Sequence, residues 1–275
     1  MTTNENTAQP STPERFLASL FSLRGRCAVV IGGTGVLGGA ISEALAAAGA
    51  HVAVVGRTLK TDEHGRTVLD RIGAQGGSAE FLAADCTRRE DLQSVLDRLV
   101  GAGRTPDILV NGAGINSATP FLEISDEEWQ RILDVNLNSV RLACQVFGRY
   151  WLDNGVAASV INIASVSAEL PLSRVFTYAA SKAAVLNLTR NLAREWAPHG
   201  IRVNALSPGF FPAEQNRKVL TPERVESIMR HTPLRRFGSP EELAGAVLLL
   251  ASSTAGSFVV GANLVVDGGF TAMTI

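Results

Sequence analysis

The stretch Cys27-Ala-Val-Val-Ile-Gly-Gly-Thr-Gly-Val-Leu-Gly-Gly-Ala-Ile41 decides the fold. Its apolar start is typical of a buried strand, and a glycine-rich turn and a helix follow. Glycine lets a backbone approach a pyrophosphate closely, and the start of a helix offers free N–H groups and a positive dipole end. Such a turn can also serve packing alone, so it needs support from other motifs. The phosphate contacts predicted here are Gly32, Thr34, Val36, Leu37 and Gly38.

Short apolar runs alternate with amphipathic segments along the rest of the chain, as in parallel strands joined by crossover helices. We therefore predict one Rossmann-like, doubly wound α/β domain over 23–275, with helices on both faces of a seven-stranded parallel sheet and a mobile tail over 1–22. Residues 210–232 form a less regular excursion that we predict to be a substrate loop. The predicted strands are 27–31, 51–55, 79–83, 107–110, 159–163, 201–206 and 263–266. The predicted helices are 36–48, 61–74, 88–102, 126–152, 175–197 and 240–252.

Composition narrows the class of partner. The 275 residues are 46% hydrophobic, and 25 basic side chains against 26 acidic ones give a net charge of -1. Such a chain has no global field to attract nucleic acid or a membrane surface, so a small molecule is the expected partner. Met1–Pro13 lacks the pattern of a secretory signal, and a cytoplasmic protein is expected. Cys27, Cys86 and Cys144 are widely spaced, which predicts reduced cysteines and no metal site.

The end of the second predicted strand bears on the choice of cofactor. In such a sheet this position meets the adenosine ribose, and an acidic residue there would bind the 2′-hydroxyl and repel a 2′-phosphate. Here Gly56 is followed by Arg57 and Thr58, which can make charge-assisted hydrogen bonds to a phosphate. NADP is therefore favoured over NAD. The alternative is that Arg57 is an ordinary solvated charge.

Two later strand ends add cofactor contacts. Asp85 can accept a hydrogen bond from the adenine amine, although Asp85 or Thr87 can equally be a helix N-cap. Small residues in Asn111-Gly-Ala-Gly114 leave room for adenine and ribose, while the Asn111 amide can join neighbouring strands. The contacts predicted at these strand ends are Asp85, Cys86, Asn111, Ala113 and Gly114.

A Tyr-Ala-Ala-Ser-Lys segment, Tyr178–Lys182, begins a long helical pattern and puts a phenol and an ammonium on one face. A phenol has a pKa near 10, so a downward shift of about three units would suit it to proton transfer at neutral pH. Lys182, with the positive charge of an oxidised nicotinamide, can supply that shift. The pair could also occur by chance on a solvated helix.

Two further polar residues support a catalytic interpretation. Ser165 follows a predicted strand, where its hydroxyl can hold a substrate carbonyl toward Tyr178. Asn136 falls within a predicted helix, where its amide can order a water leading to Lys182. The alternative for Asn136 is a buried amide bonded to helix backbone.

Together these motifs resemble the short-chain dehydrogenase/reductase family over Leu23–Phe270. The resemblance includes Asn111-Gly-Ala-Gly114, the spacing of Ser165, Tyr178 and Lys182, Ser207-Pro-Gly209 and Val266-Asp-Gly-Gly269. It implies hydride transfer between a nicotinamide dinucleotide and a carbonyl or alcohol, in a homo-oligomer that is a tetramer or a dimer. The roles it implies are general acid/base for Tyr178, substrate orienter for Ser165, phenolate stabiliser and ribose binder for Lys182, relay for Asn136, and nicotinamide contacts for Pro208 and Gly209. Phe211 is a further predicted cofactor contact.

The glycine-rich turn departs from the family pattern Thr-Gly-x-x-x-Gly-x-Gly. Ile31 stands at the threonine and Val36 at the middle glycine, while Gly32 and Gly38 stay in register. The Gly-Val-Leu-Gly form resembles a subgroup of sugar-acid oxidoreductases of the mannonate/fructuronate type. The departure leaves the phosphate geometry open.

The residues after Gly209 resemble the same subgroup and predict a sugar-acid or polyol substrate. In this interpretation the polar side chains of the segment meet hydroxyl groups, and Arg217 pairs with a carboxylate. They can equally be the exposed face of a short helix.

A 3-oxoacyl-thioester reductase or a general ketone reductase is the competing enzyme function, and a cofactor-binding protein without turnover is a third possibility of a different class. The predicted substrate contacts are Ser165, Arg174, Gln215, Asn216 and Arg217.

Overall fold

A computed structural model describes residues 12–211 and 221–273. Within them, seven strands alternate with helices. The strands are β1 Cys27–Ile31, β2 His51–Gly56, β3 Ser78–Ala83, β4 Pro106–Asn111, β5 Ala158–Ile163, β6 Ile201–Pro208 and β7 Asn263–Val266. The helices are α1 Thr12–Phe21, α2 Val36–Ala47, α3 Val68–Ala74, α4 Arg89–Gly101, α5 Asp126–Leu133, α6 Ser139–Asn154, α7 Phe176–Trp196, α8 Pro222–His231 and α9 Ala244–Ala251.

The strands form one sheet in the order β3-β2-β1-β4-β5-β6-β7, and every neighbouring pair is parallel. The predicted doubly wound sheet is therefore confirmed. The order reverses direction between β1 and β4, and ligands of such sheets bind beyond the carboxyl ends of the strands at this point. The glycine-rich turn after β1 and the Asn111 turn after β4 both lie there.

Two hydrophobic layers cover the sheet, one on each face. Val29 and Ile31 of β1 pack into one layer, while Ala28 and Val30 pack into the other, as strand alternation requires. The first layer includes Phe147 and other side chains from α4, α6 and α7; the second draws on α2, α3 and α9. Burial on both faces explains why β1 and most of β2 are continuous apolar runs, whereas β3 at the edge of the sheet is less buried and contains Glu80. Cys27 and Cys144 are buried and Cys86 is half-buried, and none of the three is disulfide-bonded.

Three predicted segments differ from the structure. The helix expected over 61–74 begins only at Val68, because Asp62 accepts hydrogen bonds from the backbone of His64 and Arg66 and closes a turn before it. The helix expected over 126–152 is interrupted by a π-helical turn at Asp134–Asn138. The expected tail over 1–22 contains α1, although residues 1–11 lie outside the described part.

The expected substrate loop over 210–232 contains α8, and residues 212–220 of it lie outside the described part. Helix α8 starts at Pro222, where Thr221 caps it by accepting a hydrogen bond from the Arg224 N–H. Across the described helices, none combines the length and the apolar character needed to cross a membrane.

Candidate active site

A cleft of about 1560 Å³ runs along the carboxyl edge of the sheet. It extends from the loop after β2, past the β1 and β4 turns, to the segments after β5 and β6. Its lining brings together most of the predicted site residues. These are Gly32, Thr34, Val36, Leu37, Gly38, Arg57, Thr58, Asp85, Cys86, Ala113, Gly114, Ser165, Tyr178, Lys182, Pro208, Gly209 and Phe211.

The turn after β1 has the shape of a phosphate cradle. Gly32 adopts a positive φ of 80°, and a Cβ atom at Gly38 would collide with the Gly32 carbonyl oxygen, so the turn and the start of α2 are in close contact. Gly35 precedes α2 without a side-chain cap, which leaves the first N–H groups of the helix available to an anion. Val36 is exposed toward the cleft, so its replacement of the family glycine does not close the cradle.

The adenosine end of the cleft offers cations and no acidic residue at the tip of β2. A Cβ atom at Gly56 would lie 2.9 Å from the Thr34 hydroxyl, so a larger side chain there would crowd the cradle. Arg57 and Thr58 follow, and both are exposed. A 2′-phosphate would therefore meet positive charge and a hydroxyl group at this position.

Asp85 lies near the same end and is partly committed to its own loop. Its carboxylate accepts hydrogen bonds from the Thr87 N–H at 2.9 Å and the Thr87 hydroxyl at 2.7 Å. These bonds, with the nearby charge of Arg57, hold the pKa of Asp85 below its usual value. The N-cap alternative is wrong, because α4 is preceded by Arg88.

Asn111 lies behind the cleft rather than in its lining. Its amide nitrogen donates to Asn162 Oδ1 at 2.8 Å, and the Asn162 amide donates in turn to the Thr189 hydroxyl at 2.9 Å. This chain joins β4, β5 and α7 through buried side chains, so the expectation that Asn111 links neighbouring strands is confirmed.

Tyr178 and Lys182 lie on one face of α7, as their spacing predicts. The Lys182 ammonium is 5.6 Å from the centre of the Tyr178 ring and donates a 2.7 Å hydrogen bond to the Ile163 carbonyl oxygen. Lys182 is 3% exposed, and burial lowers its pKa to about 8. Burial also raises the pKa of the Tyr178 phenol, against the opposite effect of a hydrogen bond with Ser165.

Ser165 faces Tyr178 from the end of β5. Its Oγ accepts hydrogen bonds from the Ser167 N–H at 3.2 Å and the Ser167 hydroxyl at 3.0 Å. These two donors leave the Ser165 proton free to point elsewhere, and Ser165 is near enough to the Tyr178 phenol to lower its pKa. The pair can therefore address a single carbonyl or alcohol oxygen in the cleft.

The π-helical turn brings Asn136 against the loop after β4. Asn136 is fully buried; its Oδ1 accepts from the Ile115 N–H at 2.8 Å, and its Nδ2 donates to the Ile115 carbonyl at 2.9 Å and the Ser181 hydroxyl at 3.1 Å. Its amide thus bonds to loop backbone rather than to helix backbone. Asn136 Oδ1 and Lys182 Nζ each lie 3.6 Å from the site of a Cβ at Gly114, so both are near the same turn.

The substrate end of the cleft includes a residue that the sequence did not single out. Arg224 of α8 lines the cleft and donates a 3.2 Å hydrogen bond to the Ser173 carbonyl oxygen. Arg174 is exposed, has a φ of 59° and lies outside the cleft lining, between Leu172 and Val175 that belong to it, so its contact with substrate stays a prediction. Three predicted substrate contacts, Gln215, Asn216 and Arg217, lie outside the described residues.

No short motif could have identified Arg224, because a contact between distant segments, its hydrogen bond to the Ser173 carbonyl, places it at the cleft. The same holds for Asp62 and Arg71, which line the adenosine end. All three are charged residues in segments without a recognisable motif, and only the tertiary structure brings them to the cleft.

Comparison with known proteins places this geometry in a family. The family model described as Enoyl-(Acyl carrier protein) reductase matches residues 34–271. Galactitol 2-dehydrogenase of Rhizobium johnstonii is 40% identical over 261 residues, covering 91% of this chain and 97% of the relative.

Two solved structures have the same architecture. The gluconate 5-dehydrogenase from Burkholderia cenocepacia, in complex with NADP and tartrate, superposes with a TM-score of 0.86 at 33% identity, covering 94% of this chain and 100% of that one. A short-chain type dehydrogenase/reductase from Mycobacterium marinum gives a TM-score of 0.86 at 37% identity, covering 93% and 99%. Because the match extends over nearly the whole chain and includes the cleft, the protein belongs to the short-chain dehydrogenase/reductase family of NAD(P)-dependent oxidoreductases.

Proposed function

We propose that the protein interconverts a secondary alcohol and a carbonyl group on a sugar acid or polyol, with NADP(H) as cofactor and Tyr178 as general acid/base. The observation that carries this proposal is the arrangement of Tyr178, Ser165 and buried Lys182 at one end of a dinucleotide-sized cleft. The glycine cradle at the other end fits a pyrophosphate. When bound, the nicotinamide supplies or accepts the hydride.

The residues at the reacting end have distinct tasks. Tyr178 gives a proton to the carbonyl oxygen during reduction and removes the hydroxyl proton during oxidation. Ser165 holds the same oxygen by a hydrogen bond, oriented by the donors of Ser167. Lys182 stabilises the phenolate form of Tyr178 by its charge and can bind ribose hydroxyl groups. Asn136 fixes the Ile115 backbone and lies near Lys182, where it can hold a proton-relay water.

The preference for NADP is supported by charge at the adenosine end. Arg57 and Lys60 line the cleft, and Gly56 takes the position where an acidic side chain would repel a phosphate. The other predicted cofactor contacts, including Asp85, Cys86, Ala113, Gly114, Pro208, Gly209 and Phe211, lie along the same lining. Asn111 contributes indirectly by holding β4 against β5.

The sugar-acid substrate is supported by Arg224 and by relatives named for such substrates. Arg224 brings a guanidinium to the cleft beside the segment that leads into Tyr178, and guanidinium groups bind carboxylates in bidentate geometry. The relatives include a galactitol 2-dehydrogenase and a gluconate 5-dehydrogenase. Within this class we retain the mannonate/fructuronate type, for which the Gly-Val-Leu-Gly turn is the motif, and we retain Gln215, Asn216 and Arg217 as candidate contacts.

A reductase of apolar ketones or acyl thioesters is the second candidate. The observation that favours it is the apolar part of the substrate end, which Leu172, Val175, Phe210 and Phe237 line. Such a wall would suit a hydrocarbon substrate better than a polyol.

A substrate panel with Tyr178→Phe as the matched inactive variant tests the function. With NADP⁺ and NADPH, we expect turnover of polyols, sugar acids or their keto forms. Tyr178→Phe should keep the fold and cofactor affinity while turnover falls at least about 10²-fold, the range for lost acid/base catalysis. Near-normal turnover by Tyr178→Phe would contradict the assignment of the proton donor. Turnover restricted to apolar ketones or thioesters would replace the proposed substrate by the second candidate.

Arg224→Ala separates carboxylate recognition from the rest of the site. We expect the KM for a sugar acid to rise about 10- to 100-fold, the range for a lost charged hydrogen bond, with little change for the matching neutral polyol. Arg230→Ala is the control, because Arg230 is an exposed arginine of the same helix that does not line the cleft. Equal effects on both substrates would contradict a carboxylate-binding role.

We also propose a homo-oligomer, a tetramer or dimer, as the resemblance implies. Fully exposed Phe258 and nearly fully exposed Leu122 support it, because large apolar side chains of this kind often lie at interfaces. Light scattering coupled to gel filtration gives the mass in solution, and a monomer at micromolar concentration would exclude it.

A further inference from the structure

The loop between β2 and α3, residues 57–67, forms one wall of the adenosine end of the cleft. We call it the β2–α3 loop. Arg57, Thr58, Lys60, Thr61 and Asp62 of this loop all line the cleft. Its conformation therefore decides where these side chains meet the adenosine half of a cofactor.

Asp62 closes the loop by accepting hydrogen bonds from its backbone. Asp62 Oδ1 accepts from the His64 N–H at 2.9 Å and from the Arg66 N–H at 3.0 Å. Its own N–H donates to the Arg66 carbonyl at 2.9 Å, and Gly65 takes the positive φ of 71° that the reversal requires. Thr61 and Thr67 then pair as an antiparallel bridge. The loop is thus a short closed turn built around one carboxylate.

The other oxygen of Asp62 fastens the loop to the body of the domain. Asp62 Oδ2 accepts from Arg71 Nη1 at 3.1 Å, and Arg71 Nε donates to Glu43 Oε1 at 2.8 Å. Arg71 belongs to α3 and Glu43 to α2, the helix whose start forms the phosphate cradle. A chain of two ion pairs therefore links the loop to the cradle helix.

Asp62 also pairs with two of the cations around the β2–α3 loop. It forms ion pairs with Arg66 at 3.7 Å and with Arg71 at 3.1 Å. Within residues 12–211 and 221–273, Arg57 and Lys60 form no ion pair within 4.0 Å. Both line the cleft, so their positive charge faces the cofactor, with the Asp85 carboxylate near Arg57.

We propose that Asp62 is a positioning residue for cofactor selection: by closing the β2–α3 loop and fastening it to Arg71, it holds Lys60 beside Arg57 where the 2′-phosphate of NADP binds. This inference rests on the proposed preference for NADP and adds a residue that acts through its neighbours. Asp62 itself carries a negative charge near the phosphate, and that charge alone would weaken phosphate binding. In this proposal it favours phosphate binding only through the loop conformation that it stabilises.

Because the charge of Asp62 and its structural role have opposite effects on NADPH binding, the direction of the change in NADPH affinity distinguishes them. Asp62→Ala and Glu63→Ala remove one negative charge each from adjacent positions that both line the cleft, and the Glu63 side chain is 86% exposed with one contact to His64. Charge alone predicts that both variants bind NADPH more tightly. Loss of positioning predicts that Asp62→Ala binds NADPH more weakly. Dissociation constants for NADPH and NADH are measured by fluorescence titration on the full chain.

We expect Asp62→Ala to weaken NADPH binding at least tenfold while NADH binding changes less than twofold, and Glu63→Ala to leave NADPH binding unchanged or tighter. Asp62→Asn keeps an acceptor for the His64 and Arg66 N–H groups but loses the negative charge that pairs with Arg71. The fold should be preserved, and the loss of NADPH affinity should be intermediate. Tighter NADPH binding by both Asp62 variants, or equal weakening of NADPH and NADH, would overturn the positioning role. If the unmodified protein binds NADH as tightly as NADPH, the proposed NADP preference fails instead.

Discussion

Replacing Lys182 by methionine tests whether its charge sets the pH at which Tyr178 can work. Methionine has a similar length and shape but no charge, so the packing against β5 is largely kept. Burial lowers the Lys182 pKa only to about 8, so the ammonium is present at neutral pH in the unmodified protein. Because burial also raises the pKa of Tyr178, the phenolate depends on that charge.

The size of the effect follows from the 5.6 Å between the Lys182 ammonium and the centre of the Tyr178 ring. With the ring centre taken as the mean position of the phenolate charge and an effective dielectric constant of about 20, the two charges interact by about 3 kcal/mol, or about two pKa units. The rising limb of the pH profile for alcohol oxidation should therefore move up by about two units in Lys182→Met. At neutral pH, kcat should fall roughly 100-fold and recover in part as the pH is raised.

The assay is kcat for alcohol oxidation against pH, at saturating cofactor and substrate. Saturation separates the charge effect from any loss of ribose binding, which would appear as a higher cofactor KM. Lys60→Met is the control, because it removes a lysine from the far end of the same cleft and should leave the limb in place. If the limb of Lys182→Met stays where it is while only cofactor affinity falls, Lys182 is a ribose ligand and the electrostatic reasoning is wrong.

Three other predictions concern stability and cofactor binding. The pKa of Lys182 is lowered from 10.5 to about 8, so between these pH values the unfolded chain binds more protons than the folded one. As the pH rises from 8 to 10.5, this group should therefore raise the free energy of unfolding by about 3 kcal/mol. Denaturant titrations of Lys182→Met should lack that increase. Gly38→Ala should destabilise the protein by about 1–3 kcal/mol and weaken cofactor binding more than tenfold, because the new Cβ atom would collide with the Gly32 carbonyl oxygen. Gly35→Ala is the control and should be nearly neutral, since its Cβ atom would lie 3.4 Å from the same oxygen. Equal effects of the two variants in thermal denaturation and cofactor titration would contradict the predicted close packing of this turn. Arg57→Ala should narrow the affinity gap between NADPH and NADH by about 1–3 kcal/mol, and an unchanged ratio of dissociation constants would mean that Arg57 is only a solvated charge.

The central strands could be predicted because they are buried on both faces and are therefore mostly apolar, while the half-buried strands β3 and β7 could be predicted from their short β-branched or aromatic runs between helical segments. The positions of Tyr178 and Lys182 followed from helical spacing, and Ser165 followed from its place at a strand end. In each case the pattern is local, and local patterns are what a sequence displays directly.

The remaining features depend on contacts between distant segments. The segment 61–67 has helix-forming residues, yet Asp62 closes it into a turn that Arg71 then fastens. The helical pattern through 126–152 contains no sign of the π-helical turn, which is stabilised by the bonds of Asn136 to Ile115 and Ser181. Arg224 reaches the cleft through the packing of α8, and no spacing relates it to Tyr178.

The hydrogen-bond chain from Asn111 through Asn162 to Thr189 has a consequence for how the enzyme can diverge. It ties the catalytic helix to the middle of the sheet through buried groups, without using any residue of the substrate end. Among the described residues, the Arg224 side chain, by contrast, donates a single hydrogen bond, to the Ser173 carbonyl at the surface. If the proposed roles hold, substitutions in and around α8 would alter substrate recognition without touching the buried hydrogen bonds that hold α7 to the sheet.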